Sequence, residues 1–414
     1  MNNKTPKNWI TCKISDLCDF QNGYAFNSND YVENGMPIIR MSNISVDGNL
    51  NLTPENTKYY QTEKAETLKK YILNKNDIVM AMTDMTKDMG IIGKTAIIDE
   101  DNRYLLNQRV GRLTIKNSKV LDYKYLHRYT NSPLFLNYAK QQCSGGVQLN
   151  LSTKAILEHK MILPPTIQEQ QEIAQVLDTM SNIIRLREEC ISHAQDLIPA
   201  LFQEMFKPYA NYTKTALNNL FEFKSGGTPS KQVEEYFQGD IPWITTVALN
   251  KLFIGKEDAN ELITEEAIQK SATKLIPANS LLFGTRVGIG KLAINTVPMC
   301  TNQDIVAMIP FENNNLNLVY AYWYLKQINN FFVANGRGAT IQGITTHLVR
   351  STEIILPPLK VQEQFAEKVR EINSYIEEQQ EELENAKQMF QSLLHHAFTG
   401  ELTNNKPQGD TLEK

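Results

Sequence analysis

Basic side chains beside predicted turns are the residues of this sequence whose types could do chemistry. Arginine and lysine that lie next to Gly, Ser, Thr and Asn can pair with the phosphates of a nucleic acid or with guanine edges. For any single one, plain surface charge is the simpler interpretation, so the group as a whole carries the hypothesis. The candidate DNA-binding positions are Arg40, Lys87, Lys94, Arg109 and Arg112 in the first half of the chain, and Lys224, Lys231, Thr245, Arg286, Lys291 and Arg337 in the second.

Two Asn-Gln pairs add amide side chains to these polar stretches. They are residues 107–108 and residues 302–303. Amides can bind the major-groove edge of adenine, but they can also be buried and tie neighbouring strands together. Both interpretations stay open from the sequence.

No pattern of a nucleotide, metal or catalytic site is complete. Residues 90–95 (GIIGKT) resemble a phosphate-binding loop, but Asp88 stands where that loop needs its first glycine, and a strand rather than a helix follows. Residues 287–290 (VGIG) lack the third glycine of a dinucleotide site. The six histidines form no metal-ligand spacing, and no serine lies in a nucleophile elbow. We therefore predict no catalytic residue, no metal and no bound cofactor.

Charge is distributed unevenly along the chain. The overall net charge is −4, yet residues 1–165 carry a net charge of +5 and residues 209–358 are neutral. The two segments 166–208 and 359–402 together carry −9. Because acidic segments repel phosphates, any nucleic acid should contact the other two parts of the chain.

Length and composition place the protein among folded, reducing-compartment proteins. A chain of 414 residues is too long for one core and should form two or three domains. Five scattered cysteines predict free thiols. No apolar stretch is long enough for a membrane span or a signal peptide, so we expect a cytoplasmic protein without a membrane partner.

Two long helices are predicted from apolar residues at alternating steps of four and three, the spacing of a coiled-coil seam. Both seams have ten positions and a polar residue at the fifth, which suggests two helices that lie against each other. The alternative is two amphipathic helices that each cover their own domain. The residues expected to pair the helices are Ile173, Leu177, Met180, Ile184 and Ile191 in the first run, and Phe365, Val369, Ile372, Ile376 and Leu383 in the second.

Three polar or helix-breaking residues interrupt these runs. Arg187 and Gln379 occupy the fifth seam positions, where a polar residue can set the register of a helix pair. Pro199 falls inside the first run and should kink it or end it early, because proline removes a backbone hydrogen bond.

The chain also repeats itself with a period near 195 residues. Both helical runs begin after a proline pair, in residues 163–170 (LPPTIQEQ) and 356–364 (LPPLKVQEQ). The preceding stretches match in the same order. The paired segments are 17–23 (LCDFQNG) with 220–226 (LFEFKSG), 35–39 with 239–244, 76–79 with 279–282, 93–97 (GKTAI) with 290–294 (GKLAI), 107–108 with 302–303, and 146–148 with 339–342.

Within each repeat, short Ile- and Val-rich stretches between turn residues indicate strands, as at 37–41, 78–82 and 91–98. Residues 122–141 and 318–330 have helical spacing. The fold class is therefore α+β, as a tandem duplication in which each globular domain is followed by a long helix. The expected limits are domain 1 at 1–165, helix 1 at 166–208, domain 2 at 209–358, helix 2 at 359–402 and a flexible tail at 403–414.

Taken together, these motifs resemble the specificity (S) subunit of type I restriction-modification systems. The resemblance rests on the two Leu-Pro-Pro motifs followed by Gln-Glu-Gln, on residues 201–206 (LFQEMF) and on residues 392–402 (SLLHHAFTGEL), and it covers almost the whole chain. It implies two target recognition domains separated by two long antiparallel coiled-coil helices.

The resemblance also implies a function and a set of partners. Each recognition domain would bind one half of a bipartite target in double-stranded DNA. The helices would act as a spacer and dock two methyltransferase (modification) subunits, which carry S-adenosylmethionine and methylate adenine, and restriction and motor subunits could join. The seam from Ile173 to Met205 is roughly 48 Å long, which permits half-site centres up to about 14 base pairs apart.

Two alternatives belong to other functional classes. The chain could be a self-contained DNA methyltransferase or nuclease with an unrecognised site, or a coiled-coil scaffold that binds only protein. The base sequence of either half-site is not readable, because base contacts depend on loop geometry.

Overall fold

The computed structural model describes residues 8–84, 89–144, 149–312, 315–338, 342–400 and 402. The chain divides into two compact units. The first unit comprises residues 1–187 and 382–414, and the second comprises residues 188–381. Both divisions fall inside long helices, so each unit contains part of both helices.

The first unit is α+β. Its strands are β1 (Ile10–Lys13), β2 (Cys18–Asn22), β3 (Tyr31–Val32), β4 (Met36–Ile39), β5 (Lys58–Tyr60), β6 (Ile72–Leu73), β7 (Ile78–Ala81), β8 (Thr83–Asp84), β9 (Thr95–Ile97), β10 (Tyr104–Leu106), β11 (Val110–Ile115), β12 (Leu149–Asn150) and β13 (Lys160–Leu163). Its helices are α1 (Ile14–Leu17), α2 (Thr62–Ala65), α3 (Tyr123–Thr130), α4 (Pro133–Gln141), α5 (Thr153–Glu158) and the start of α6 (Ile167–Phe206).

The second unit has a similar order of elements. Its strands are β14 (Lys214–Ala216), β15 (Phe221–Ser225), β16 (Ile241–Ile244), β17 (Phe253–Ile254), β18 (Glu261–Ile263), β19 (Leu275–Ile276), β20 (Leu281–Gly284), β21 (Leu292–Asn295), β22 (Met299–Thr301), β23 (Ile305–Pro310) and β24 (Glu353–Ile355). Its helices are α7 (Glu265–Gln269), α8 (Leu318–Gln327), α9 (Asn329–Ala334), α10 (Thr346–Ser351) and the start of α11 (Leu359–Thr399).

Equivalent sheets lie at the centre of each unit. In the first unit one sheet has the order β2-β11-β7-β9 and another the order β3-β5-β4-β10-β6; in the second unit the orders are β15-β23-β20-β21-β17 and β18-β16-β22-β19. Strands β10 and β4 are parallel, as are their counterparts β22 and β16. Short pairs join β1 to β13 and β14 to β24.

The central strands β7 and β20 are buried on both faces. Successive side chains of a strand point in opposite directions, so alternate residues of each strand belong to different hydrophobic clusters. Ile78 and Met80 belong to one hydrophobic cluster, which includes α3, whereas Val79 and Ala81 belong to another, which includes β4 and β10. In the second unit Leu281 and Phe283 share a cluster with α8, and Leu282 shares one with β16 and β22. Each unit therefore consists of a layer of helices, a central sheet and a second sheet, in that order.

Hydrogen bonds of the same pattern confirm the tandem repeat. Gly93 N–H donates to the carbonyl of Ala81, and Gly290 N–H donates to the carbonyl of Gly284, both at 2.9 Å. In return the N–H groups of Ala81 and Gly284 donate to the carbonyls of Lys94 and Lys291. The matched motifs at 93–97 and 290–294 therefore occupy the same turn. The match between 146–148 and 339–342 lies almost entirely outside the described residues.

The predicted secondary structure is largely confirmed, with shorter elements than expected. The helical spacing at 122–141 corresponds to two helices, α3 and α4, and the spacing at 318–330 to α8 and α9. In both places the chain turns sharply between the helices, at Ser132 and at Ile328. Of the strands, the one expected at 91–98 is confined to β9.

Both long helices are present, and the prediction that Pro199 kinks or ends the first one early is wrong in its second part. Helix α6 has 40 residues and continues to Phe206, seven residues beyond the proline. Ile198, Phe202 and Phe206 are buried in the core of the second unit. Their burial stabilises the last turns by more than the one hydrogen bond that proline removes.

The helices are antiparallel within the first unit. Ile173 and Leu177 of α6 share a hydrophobic cluster with Leu394 and Phe398 of α11. Further along, Arg187 of α6 pairs with Glu382 of α11, so residue numbers rise on one helix while they fall on the other. The fifth-position polar residue of α6 therefore forms an interhelical ion pair, with a side chain that is about a third exposed.

In the second unit the two helices meet through aromatic rings. Phe202 and Phe206 of α6 each lie 5.4 Å from Phe365 of α11, measured between ring centroids. Burial along the seams matches the predicted spacing. Each of the ten helix-pairing candidates is buried or half-buried, namely Ile173, Leu177, Met180, Ile184, Ile191, Phe365, Val369, Ile372, Ile376 and Leu383.

A buried glutamine holds each long helix to its domain. Gln170 accepts a hydrogen bond from Asp122 N–H at 2.9 Å and donates one to the carbonyl of Val120 at 2.9 Å. Gln362 likewise accepts from Asn317 N–H at 2.9 Å and donates to Asn315. Gln170 is the last residue of the first Gln-Glu-Gln motif, but Gln362 is the first residue of the second. The two motifs are therefore offset by two residues in the fold.

Two buried histidines lie in the core of the first unit. His159 Nε2 is 2.9 Å from the Tyr129 hydroxyl, and its ring packs on Tyr138 and Phe135. Burial lowers the pKa of His159 to about 4. His127 is 3.2 Å from Thr95 Oγ1, and burial lowers its pKa to about 3. Both imidazoles are therefore neutral in the folded protein at neutral pH.

No helix in the described part of the chain has an apolar stretch that could cross a bilayer.

The offset of the two motifs predicts which glutamine stabilises the folded state in each repeat. We expect Gln170→Ala and Gln362→Ala to lower the free energy of unfolding by about 2–4 kcal/mol, because each leaves buried backbone groups without partners. The exposed matched controls Gln168→Ala and Gln364→Ala should change it by less than about 0.5 kcal/mol. Urea denaturation of the full chain measures all four, and a larger effect at Gln168 than at Gln170 would contradict this register.

The buried histidines predict a loss of stability in acid. The pKa of His159 is lower in the folded state than the unfolded value of about 6.5, so the unfolded chain binds the proton first as pH falls. This residue alone should account for about 3 kcal/mol of lost stability between roughly pH 7 and pH 4.

Urea denaturation across this pH range checks the contribution of His159. His159→Gln keeps a hydrogen-bonding side chain but does not titrate, so the loss of stability in acid should be smaller. His395→Gln, at an exposed position of the same unit, is the matched control for the loss of one histidine. The same loss of stability in His159→Gln and wild type would rule out this assignment.

Candidate nucleic-acid interface

In the second unit, two loops bring three of the predicted basic residues together. Arg286 follows β20 and pairs with Gly343, and Arg337 pairs with Gly343 from the other side. Arg337 and Gly343 exchange two backbone hydrogen bonds of 2.9 Å. Lys291 lies at the end of the first loop, and its side chain passes close over Gly288. We name residues 285–291, 337–338 and 342–344 the second-unit basic loops.

These three cations are directed to solvent. Arg286, Lys291 and Arg337 are all exposed. Within the described ranges none of them forms an ion pair with an acidic side chain. Their charge is therefore available to an anionic partner, and the pairing of the loops fixes the backbone that carries these side chains.

The equivalent loops of the first unit are built in the same way but carry different residues. Thr83 and Asp84 pair with Asn150 and Leu149, and Ser144 bridges to Asn150. In the second unit Arg286 and Arg337 take the places of Thr83 and Ser144. Lys87, predicted to contact DNA, lies outside the described residues.

Lys94 occupies the same turn as Lys291 but is half-buried. Burial lowers the pKa of Lys94 from its ordinary value, while nearby Asp47 acts in the opposite direction. The following residue, Thr95, is held by α3, since its hydroxyl lies 2.7 Å from that of Thr130. The turn that carries Lys94 is thus held by a buried polar network.

The other predicted residues of the first unit lie in three different settings. Arg40 follows β4 and is half-buried, and Arg109 is exposed next to Asn107. Arg112 donates to Gln21 and pairs with Asp77 at 3.2 Å. Its guanidinium is mostly buried in these internal contacts, so a contact between Arg112 and DNA stays a prediction without structural support.

In the second unit, three predicted residues have partners within the domain. Lys231 pairs with Glu261 and lies 4.7 Å from the centre of the Phe237 ring. Thr245 donates to Asn260 Oδ1 at 3.1 Å. Lys224 lies 3.6 Å from a carboxylate oxygen of Glu222. Thr245 follows β16 as Arg40 follows β4, so the two repeats present different chemistry at this equivalent position.

The two residues of each Asn-Gln pair lie in different environments. Asn107 and Asn302 are buried, and their backbone N–H groups donate to the carbonyls of Ile39 and Ile244. Their side chains accept from the N–H groups two residues later. The backbone N–H groups of these asparagines therefore join neighbouring strands, and their side chains stabilise the turn that follows. Gln108 and Gln303 are exposed.

Val287, which no sequence pattern singled out, lies between Arg286 and Lys291 with 57% of its surface exposed. Its position in a glycine-rich turn flanked by two basic residues was the available signal.

A separate cleft of about 920 Å³ lies in the second unit between β17, α8 and the two long helices. Its lining includes Trp323, Lys326 and Glu377. Among the described residues no group of His, Cys, Asp and Glu could hold a metal ion, and the five cysteines are free. Neither the basic loops nor this cleft assembles a recognisable catalytic centre.

Comparison with known proteins identifies the family. A family model described as "Type I restriction modification DNA specificity domain" matches twice, at residues 6–193 and 209–385. The chain is 29% identical over 210 residues to the EcoR124I/EcoR124II specificity subunit of Escherichia coli, an alignment that covers 48% of this chain and 50% of that protein.

Two further matches extend over nearly the whole chain. The putative MjaX specificity subunit of Methanocaldococcus jannaschii is 24% identical, with 94% of this chain and 93% of that protein aligned. The crystal structure of the S subunit of the type I restriction-modification system from M. genitalium superposes with a TM-score of 0.59 at 15% identity, covering 96% of this chain and 97% of that one. The last match shows a shared fold.

The two family matches fall on the two repeats and together cover well over half of the 414 residues. The resemblance found in the paired motifs is thereby confirmed, as is the duplicated α+β fold. The protein belongs to the type I restriction-modification DNA specificity family.

Proposed function

We propose that this chain is the DNA sequence-specificity subunit of a type I restriction-modification complex and has no catalytic activity of its own. The domain at 1–165 binds one half of a bipartite target in double-stranded DNA, and the domain at 209–358 binds the other. The helical segments 166–208 and 359–402 set the distance between the half-sites. The complex acts on DNA in the cytoplasm.

The observation that carries this proposal is the repetition of one loop frame with different side chains. Lys94 and Lys291 lie at the same turn, held by the same backbone hydrogen bonds. At other equivalent positions of the frame, Thr83, Ser144 and Arg40 of the first unit are replaced by Arg286, Arg337 and Thr245. A common frame suits the common geometry of the DNA backbone, and different side chains suit two different base sequences.

The helices are suited to protein partners rather than to DNA. Their net charge of −9 disfavours contact with phosphates. In the first unit, α6 also exposes the apolar side chains of Val176, Ile183 and Leu186. An acidic surface with exposed apolar residues favours docking of two methyltransferase subunits, with restriction and motor subunits as further partners. S-adenosylmethionine would then bind to the methyltransferase subunits.

Binding of the target by the complex with methyltransferase subunits tests this proposal. The complex should protect a two-part target on duplex DNA and methylate it when S-adenosylmethionine is added. Lys291→Gln should weaken binding at all sequences alike and reduce the slope of log affinity against log salt by about 1, because one phosphate contact is lost. Fluorescence anisotropy between about 50 and 200 mM salt measures the slope.

Two controls separate the proposal from its alternatives. Lys256→Gln removes an exposed lysine outside the basic loops and should leave the salt slope unchanged. The purified chain alone, incubated with DNA and S-adenosylmethionine, should transfer no methyl group. Methylation by the chain alone would show a self-contained enzyme, and a complex that protects no DNA would show a scaffold for proteins.

A further inference from the structure

Val287 adopts a backbone conformation that its residue type rarely takes. Its φ is +43°, in the left-handed region. Asparagine tolerates this region, and five of the seven non-glycine residues with positive φ in the described ranges are asparagines. A valine is disfavoured there because its branched Cβ crowds the backbone, so the surrounding structure must impose the conformation.

The second-unit basic loops supply that constraint. On one side of Val287, Thr285 N–H donates to the carbonyl of Asp304 at 2.7 Å, and Thr285 accepts from Ile344 N–H at 2.9 Å. On the other side, Gly290 N–H donates to the carbonyl of Gly284 at 2.9 Å. Ile289 packs against the hydrophobic core. The tip of the loop is therefore fixed from both ends.

The constraint holds an apolar side chain in contact with solvent, where hydrophobic burial does not stabilise it. Val287 is 57% exposed. Its neighbours Arg286 and Lys291 are exposed cations, and Arg337 lies across the paired loop. Backbone strain that the surrounding structure imposes is concentrated at binding and catalytic sites, and here it holds an apolar side chain among cations.

We propose that Val287 is a specificity-determining residue that contacts the 5-methyl group of a thymine in the half-site bound by the second domain. This inference rests on the proposed DNA-binding function. The thymine methyl is the one apolar group that base pairs present in the major groove, and a short apolar side chain can contact it. Arg286 and Lys291 would hold the loop in the groove by contacts to phosphates or guanine.

Removing the methyl group from DNA tests this contact without altering the protein. Each thymine of the target is replaced in turn by deoxyuridine, and binding by the complex with methyltransferase subunits is measured. With wild-type protein, replacement of at least one thymine should weaken binding about fourfold, the value of one buried methyl group. With Val287→Gly, which also relieves the backbone strain, that penalty should disappear at the same thymine.

Two further variants make the assignment specific. Val287→Asn keeps a residue that tolerates the left-handed conformation and should also lose the penalty, which separates the effect of the side chain from loop flexibility. Val247→Ala removes another exposed valine of the same unit, 66% exposed, and should keep the full penalty.

The outcomes distinguish this inference from the proposed function. A complex that does not prefer its target over unrelated DNA would overturn the proposed function. A complex that prefers its target, but whose deoxyuridine penalties are the same in wild type and Val287→Gly, would overturn only the role of Val287. Loss of the penalty in Val247→Ala alone would assign the contact to that valine instead.

Discussion

The fold depends on an aromatic side chain at the end of each long helix, which completes the core of a unit. Phe398, near the end of α11, is 2% exposed and lies 5.5 Å from the Tyr125 ring and 5.2 Å from the Tyr129 ring. Phe206, at the end of α6, lies 4.6 Å from the Tyr320 ring. Tyr125 and Tyr320 in turn donate hydrogen bonds to the carbonyls of Ile162 and Ile355. The carboxyl-terminal part of α11 thus packs into the first unit, and the core of that unit is complete only when this part of α11 is in place.

This constraint links architecture to the proposed function. Each helix is part of both units, because α6 begins in the first and ends in the second, and α11 does the reverse. A helix of fixed rise per residue cannot lengthen without adding residues. The globular parts can vary their loop side chains independently, as they do at Arg40 and Thr245, while the buried tyrosines, asparagines and glutamines that hold the frame stay alike in both repeats.

The parts predictable from the sequence were those with a strong local period. The heptad steps located both helices to within a few residues, and the burial of Ile173, Leu177, Phe365 and Val369 follows them. Pro199 wrongly predicted an early end of α6. The helix continues because Phe202 and Phe206 are buried in the core, and this burial cannot be read from the local sequence. The strand order was not predictable, since β7 pairs with β9 and β11 through contacts that no local pattern encodes. For the candidate site, residue type showed the charge of Arg112 but not its ion pair with Asp77, and it did not show that Val287 is exposed.

The most direct test of the central claim is the gap between the two half-sites after a change in helix length. Four residues inserted into α6 between Arg187 and Glu188, where the two units divide, should change that gap and leave both half-site sequences intact. Sequencing of methylated adenines in DNA treated with the complex gives both quantities. An unchanged gap with full methylation would contradict the account, because the helices would then not set the distance between the half-sites.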